Sequence, residues 1–137
     1  MPNTVVVVDS GPLVALFDRG DASHERAVAF VNECESELVT QLAVVTEVMY
    51  LLRYRHNAQL DFLRWVSGGG VLIKDTTTED LFRARQLIEK YADRPMDFAD
   101  ALLVALCERL DVPEIATIDS DFEIYRFKGR RRFVNLF

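Results

Sequence analysis

Cysteine is scarce in this chain of 137 residues. The two present, Cys34 and Cys107, sit inside helical patterns without CxxC spacing, which argues against a disulfide scaffold or a dithiol redox pair. Histidine is equally rare, and His24 and His56 have no carboxylate motif around them, so both read as surface residues rather than catalytic bases. No apolar run approaches the roughly 20 residues needed to cross a bilayer. The opening MPNTVVVVDSG has no basic leader, and an aspartate directly follows its short valine run, so it reads as a buried strand and not a secretory signal. A reducing, cytoplasmic setting is the expectation. Glycine is sparse too, and its one cluster, Gly68 to Gly70, lacks the Lys and Ser/Thr of a phosphate loop and reads as a turn. Positive charge is also short, with 16 Lys and Arg against 22 Asp and Glu and a net charge of −6, which by itself discourages a nucleic-acid partner.

What is present fits a globular protein. Half of the residues are hydrophobic, 28% are charged, and the length suits a single domain over residues 1–137. The β-branched run 4–8 predicts a central strand buried on both faces. Helical segments follow at GPLVALFD, with Pro12 in the first turn, and after Asp21 as a candidate cap, with Ala27, Phe30 and Val31 on one face. ELVT at 37–40 predicts a second strand and leads into a helix over QLAVVTEVMYLLRYR that carries Glu47 early. A helix over 58–66, a strand at VLIK (71–74), a helix over 77–91 with Thr78 as candidate cap and a buried helix over 98–110 come next. EIATID supplies a fourth strand, and 132–136 a possible fifth. Strands alternating with helices predict a three-layer α/β/α sandwich around a mostly parallel sheet of four to five strands.

In such sheets functional groups gather at the carboxyl ends of strands. Asp9 directly follows VVVV and Asp119 directly follows IATI, so both emerge at the same sheet edge, and Glu47 lies within reach of it. Asp97 and Asp100, spaced i, i+3, share one face of the first turn of DFADALLVAL. Asp97 reads equally well as an N-cap or as a further ligand, whereas Asp100 is expensive at that edge without a partner. Four carboxylates about 5 Å apart would repel by roughly 3 kcal/mol per pair at an effective dielectric of about 20. With no Lys or Arg placed to offset this, Mg²⁺ or Mn²⁺ suits the all-oxygen set. Such ions support phosphodiester hydrolysis.

These motifs resemble those of the PIN-domain ribonucleases over nearly the whole chain. VVVVDSGPLVALFD is similar to that family's first motif, TEVMYLL to its glutamate motif, and MDFADALLVAL followed by IATIDSDF to its third and fourth. The PMDFADA helix looks especially like that of the VapC group, the toxins of type II toxin–antitoxin pairs. The resemblance implies a PIN-like fold and a metal-dependent endoribonuclease with Asp9, Glu47, Asp100 and Asp119 as the acidic core and Asp97 as an additional acid at the metal. It also implies an antitoxin partner and a homodimer. Ser10 matches a small hydroxyl residue that supports the site, or is a turn residue leading the helix. Asp121 resembles an auxiliary acid, but capping of DFEIY is the preferred reading, and core filling is preferred for Thr46 and Thr117.

From Tyr125 to the end, Arg126, Lys128, Arg130, Arg131 and Arg132 are interleaved with aromatics and no acid. The pattern suits an RNA-backbone surface and equally a charged, aggregation-resistant edge strand. The apolar early helices read as core. A receiver-type signalling domain would need paired acids before the first helix and a lysine after a late strand, and a dehalogenase-type phosphatase an acid where Gly11 stands. A catalytically silent PIN-like module that binds RNA or a partner is the alternative.

Overall fold

The computed structural model describes residues 4–137, so Met1 to Asn3 of the opening segment lie outside the described residues. Strands β1 (Val5–Val8), β2 (Glu37–Gln41), β3 (Leu72–Lys74) and β4 (Glu114–Ala116) alternate with helices α1 (Ser10–Phe17), α2 (His24–Glu33), α3 (Leu42–Leu51), α4 (His56–Ser67), α5 (Thr78–Lys90) and α6 (Phe98–Leu110). A 3₁₀ turn (Ser120–Glu123) and three two-residue strands, β5 (Arg126–Phe127), β6 (Arg131–Arg132) and β7 (Val134–Asn135), complete the chain. The main sheet has the order β3-β2-β1-β4-β7, and every pairing in it is parallel. The helices flank this sheet, α1 packing on α2, α3 and α4, and α5 along α6.

The order follows from burial. Val6, Val7 and Val8 are at most 1% exposed, because an unbroken valine run gives both faces of a strand something to bury. β1 is therefore central. The chain steps outward from it to β2 and β3, then crosses back to lay β4 on its other side, so the order of strands reverses between β1 and β4. Helix α6 runs buried from Ala99 to Cys107, and burial pushes the Cys107 thiol far above its ordinary range. That cysteine is packing, not chemistry.

Local details depart from the sequence reading in four places. Thr77, not Thr78, caps α5, in a reciprocal capping box with Asp80. Asp21 does not cap α2, whose N-cap is Ser23; its carboxylate instead accepts from the Ser23 amide in the preceding turn. The stretch 132–136 is not one strand. Arg132 belongs to an antiparallel hairpin with β5, whose turn needs left-handed backbone at Lys128 (φ 51°) and Gly129 (φ 76°), and only β7 joins the main sheet beside β4. Finally, α3 is core only in part: Val44, Val45 and Val48 are buried, but Leu42, Tyr50 and Leu51 are exposed.

Candidate active site

Asp9 stands where β1 ends and α1 begins, at the point where strand order reverses. Its amide donates to the Ala116 carbonyl of β4 at 2.9 Å, and its carboxylate caps α1 by accepting from the Ser10 amide at 2.7 Å. The other carboxylate oxygen accepts from the Thr117 hydroxyl at 2.7 Å. That same hydroxyl accepts from the Asp119 amide at 2.9 Å, so one buried threonine ties two acids together. Asp119 then caps the 3₁₀ turn by accepting from the Asp121 amide. Helix α6 brings in Asp100 from its first turn.

Oxygens of Asp9, Asp100 and Asp119 all lie within 4.8 Å of one another. Asp9 and Asp100 are buried, at 4% and 7% exposure. Burial is the main reason that Asp9 is raised to about 6, opposed by the Thr117 and Ser10 bonds and assisted by Glu47 and Asp119. Asp100 is raised to about 8, first by burial and then by Asp9, Asp97, Asp119 and Glu47. Unlike Asp9, the Asp100 carboxylate accepts no hydrogen bond among the described residues. A buried, orphaned carboxylate facing two others is the donor set that a hard divalent cation satisfies.

The other candidates are placed as follows. Glu47 accepts from the Ser10 hydroxyl and sits at the rim of the trio. Asp97 is exposed and is the N-cap of α6, accepting from the amides of Ala99 and Asp100 at 2.8 and 3.3 Å. Asp121 does not cap its segment, a task that falls to Asp119; it pairs with Arg94 at 3.2 Å. Thr46 is exposed and bonds back to the Leu42 carbonyl, so it fills no core.

Thr117 is the residue that sequence reasoning undervalued. Its signal was its place two residues before Asp119, level with Asp9 once β1 and β4 pair. Tyr125 was also missed as a neighbour of the site. Its ring is fully buried between Tyr91 and Phe122, its hydroxyl has no partner among the described residues, and burial followed by Asp100, Asp121, Asp119 and Asp97 pushes it well above the ordinary tyrosine range.

The basic tail divides. Arg126 folds its guanidinium onto the carbonyls of Glu123, Ile124 and Tyr125. Lys128 pairs with Asp111 at 2.8 Å, while its amide is held by Glu108, which also pairs with Arg83. Arg130, Arg131 and Arg132 remain exposed, with Arg131 lying over the Phe127 ring.

Comparison with known proteins places this arrangement. Over 131 residues the chain is 29% identical to Ribonuclease VapC26 of Mycobacterium tuberculosis, covering 93% of this chain and 97% of that one. Its fold superposes on VapC20 of the same organism, described as a Sarcin-Ricin loop cleaving toxin, with a TM-score of 0.82 at 23% identity, over 92% of this chain and 98% of that one. It also matches VapBC2 from Rickettsia felis, solved bound to a DNA fragment from their promoter, with a TM-score of 0.65 at 11% identity, over 88% and 92% of the two chains. The family model that describes the PIN domain matches residues 6–128, a span that begins in β1, ends in the β5–β6 hairpin and contains every acid of the site. The chain belongs to the PIN domain family.

Proposed function

We propose that this protein is a divalent-metal-dependent endoribonuclease and the toxin of a type II toxin–antitoxin pair. The observation that carries the reading is the trio itself: three carboxylates from the end of β1, α6 and the end of β4 come within reach of one ion, two of them buried and one, Asp100, accepting no hydrogen bond among the described residues. The relatives named above as ribonuclease and toxin supply the substrate class.

Asp9, Asp100 and Asp119 would hold the cation, with Glu47 at the rim as the fourth acid of the core. Mg²⁺ or Mn²⁺ bound there supplies charge for the scissile phosphate and lowers the cost of deprotonating an attacking water. The chain's own work is positioning. Thr117 fixes the rotamer of Asp9 and the backbone of Asp119, Ser10 holds Glu47 by its hydroxyl, and Asp97 secures the turn that presents Asp100. Asp97 thus acts as a cap in this proposal. Arg130, Arg131 and Arg132 are the exposed tail residues available to RNA, with Arg126 and Lys128 holding the hairpin that presents them.

The exposed apolar side chains Leu42, Tyr50 and Leu51 of α3 suit cover by another chain, an antitoxin or a second copy, in a cytoplasmic setting. No described helix is long and apolar enough to cross a membrane. Incubation of the purified protein with labelled RNA in Mn²⁺ and in EDTA tests the reading. Cleavage should need the cation and fall to background in Asp9→Asn and Asp100→Asn. Cleavage indifferent to chelation and to both substitutions refutes it, and a protein that binds RNA without cutting it supports the silent-module alternative.

A further inference from the structure

Next to the acidic trio lies a cleft of about 180 Å³ that shares Thr117 and Asp119 with it. Two aromatic residues line it: Phe122 is buried and half-buried Phe133 packs edge-on against it at 5.8 Å, with Phe127 against Phe133 at 6.0 Å outside the lining. Ser120, Glu123 and Arg132 are polar residues of the lining. Among the described residues, none of these three side chains makes a hydrogen bond or an ion pair; the contact at Glu123 goes to its carbonyl. The cleft therefore offers apolar packing, a Glu123 carboxylate and an Arg132 guanidinium that no other described side chain engages, and the Ser120 hydroxyl.

That combination has a natural occupant. A volume well below the roughly 300 Å³ at which drug-sized sites begin admits one flat ring system rather than a whole nucleotide. Nucleobases carry π-faces that pack on aromatic side chains and an edge of donors and acceptors that is readable when the base is unpaired. A carboxylate takes two parallel N–H donors, and a guanidinium donates to an adjacent carbonyl. The Watson–Crick edge of guanine presents that set, N1–H and N2–H beside O6. Adenine and cytosine offer one N–H group there, and uracil one N–H between two carbonyls.

We propose that this cleft is a subsite for an unpaired guanine flanking the scissile phosphate, with Glu123 accepting from N1–H and N2–H and Arg132 donating to O6. The proposal rests on the ribonuclease reading and adds to it a determinant of sequence preference. Because Asp119 lines both the cleft and the trio, a base in the cleft lies beside a phosphate at the trio.

The test uses the intact protein and Glu123→Gln, an isosteric change at an exposed position. Wild type and variant are given a randomised single-stranded RNA pool with Mn²⁺, and the new ends are sequenced. Guanine should be enriched at one position flanking the cut, and the variant should lose about tenfold or more of that enrichment, the scale of one bidentate base contact, because cleavage at guanine sites falls relative to cleavage at sites with another base there. In parallel, the amides of Ser120, Phe122 and Phe133 are followed by NMR in EDTA during titration with GMP, AMP, CMP and UMP. GMP should shift them at lower concentration than the other three. Cleavage without guanine enrichment, or with enrichment unchanged in the variant, overturns the subsite and leaves the nuclease standing. If no RNA is cut with any metal, the nuclease reading fails and the titration decides: selective GMP shifts keep the subsite, and their absence overturns it. A protein segment that shifts those amides where GMP does not also overturns it.

Discussion

Asp100 is a carboxylate held where its charge is least welcome, buried and facing Asp9 and Asp119. Its substitution by Asn therefore has two separable consequences. Cleavage falls to background, and in EDTA the melting temperature rises relative to wild type by more at pH 9 than at pH 6, because the folded carboxyl, raised to about 8, holds a proton that the unfolded one releases and the loss deepens until pH passes 8. Differential scanning calorimetry at the two pH values measures this; an equal effect at both would contradict the raised pKa. Thr117→Val is the subtler probe. It removes the donor to Asp9 and the acceptor for the Asp119 amide while keeping the shape, and loss of such an orienting bond costs about 10- to 100-fold in metal affinity. Calorimetric titration of Mn²⁺ reads the loss, and unchanged affinity would remove Thr117 from the positioning role. The sequence made Asp9, Asp100 and Asp119 legible because each follows a strand or lies in a helix's first turn. It hid Thr117 because a β-branched residue at a strand end looks the same as core filling.

At the scale of elements, β1, β2, α6 and β4 were legible from periodicity and runs. The hairpin β5–β6 was not, since FKGRR carries its turn in two left-handed residues and its strands are too short for any alternation. Helix α3 was misjudged for a different reason: apolar residues at helical spacing mark a face without saying whether it is buried, and Leu42, Tyr50 and Leu51 stand exposed. At its N-terminus Gln41 is fully buried, and neither amide atom has a partner among the described residues. A buried unsatisfied amide costs about 1–3 kcal/mol. Gln41→Met should accordingly raise the melting temperature by roughly 4 °C, and a fall of that size would mean that the amide is satisfied in solution. In the opposite direction, a Cβ at Gly70 would lie 2.2 Å from the Trp65 ring. Gly70→Ala must displace that indole and should destabilise by about 1–3 kcal/mol in urea unfolding.

For the whole molecule the parallel sheet and its reversal between β1 and β4 dictate that acids from distant stretches meet, which is why strings far apart in sequence could be read as one site. Their meeting sets the pH response. Asp9 and Asp100 both have folded-state values above the ordinary 3.8, at about 6 and about 8. The native state thus binds protons that the unfolded chain releases, so the stability they contribute is complete below about pH 4 and is lost as pH climbs through 6 and then 8. For Asp9 alone the shift corresponds to about 3 kcal/mol. In EDTA the melting temperature should fall from pH 5 to pH 9, and the stabilisation by Mn²⁺ should grow over the same range as protons leave the site. A flat profile in both conditions would contradict the burial of these acids.

Diffraction at the manganese absorption edge from crystals grown with Mn²⁺ addresses the central claim directly. An anomalous peak among the carboxylates of Asp9, Asp100 and Asp119, absent from Asp100→Asn, is the predicted result. An unbroken map at that position, or a peak that persists in the variant, would contradict the account.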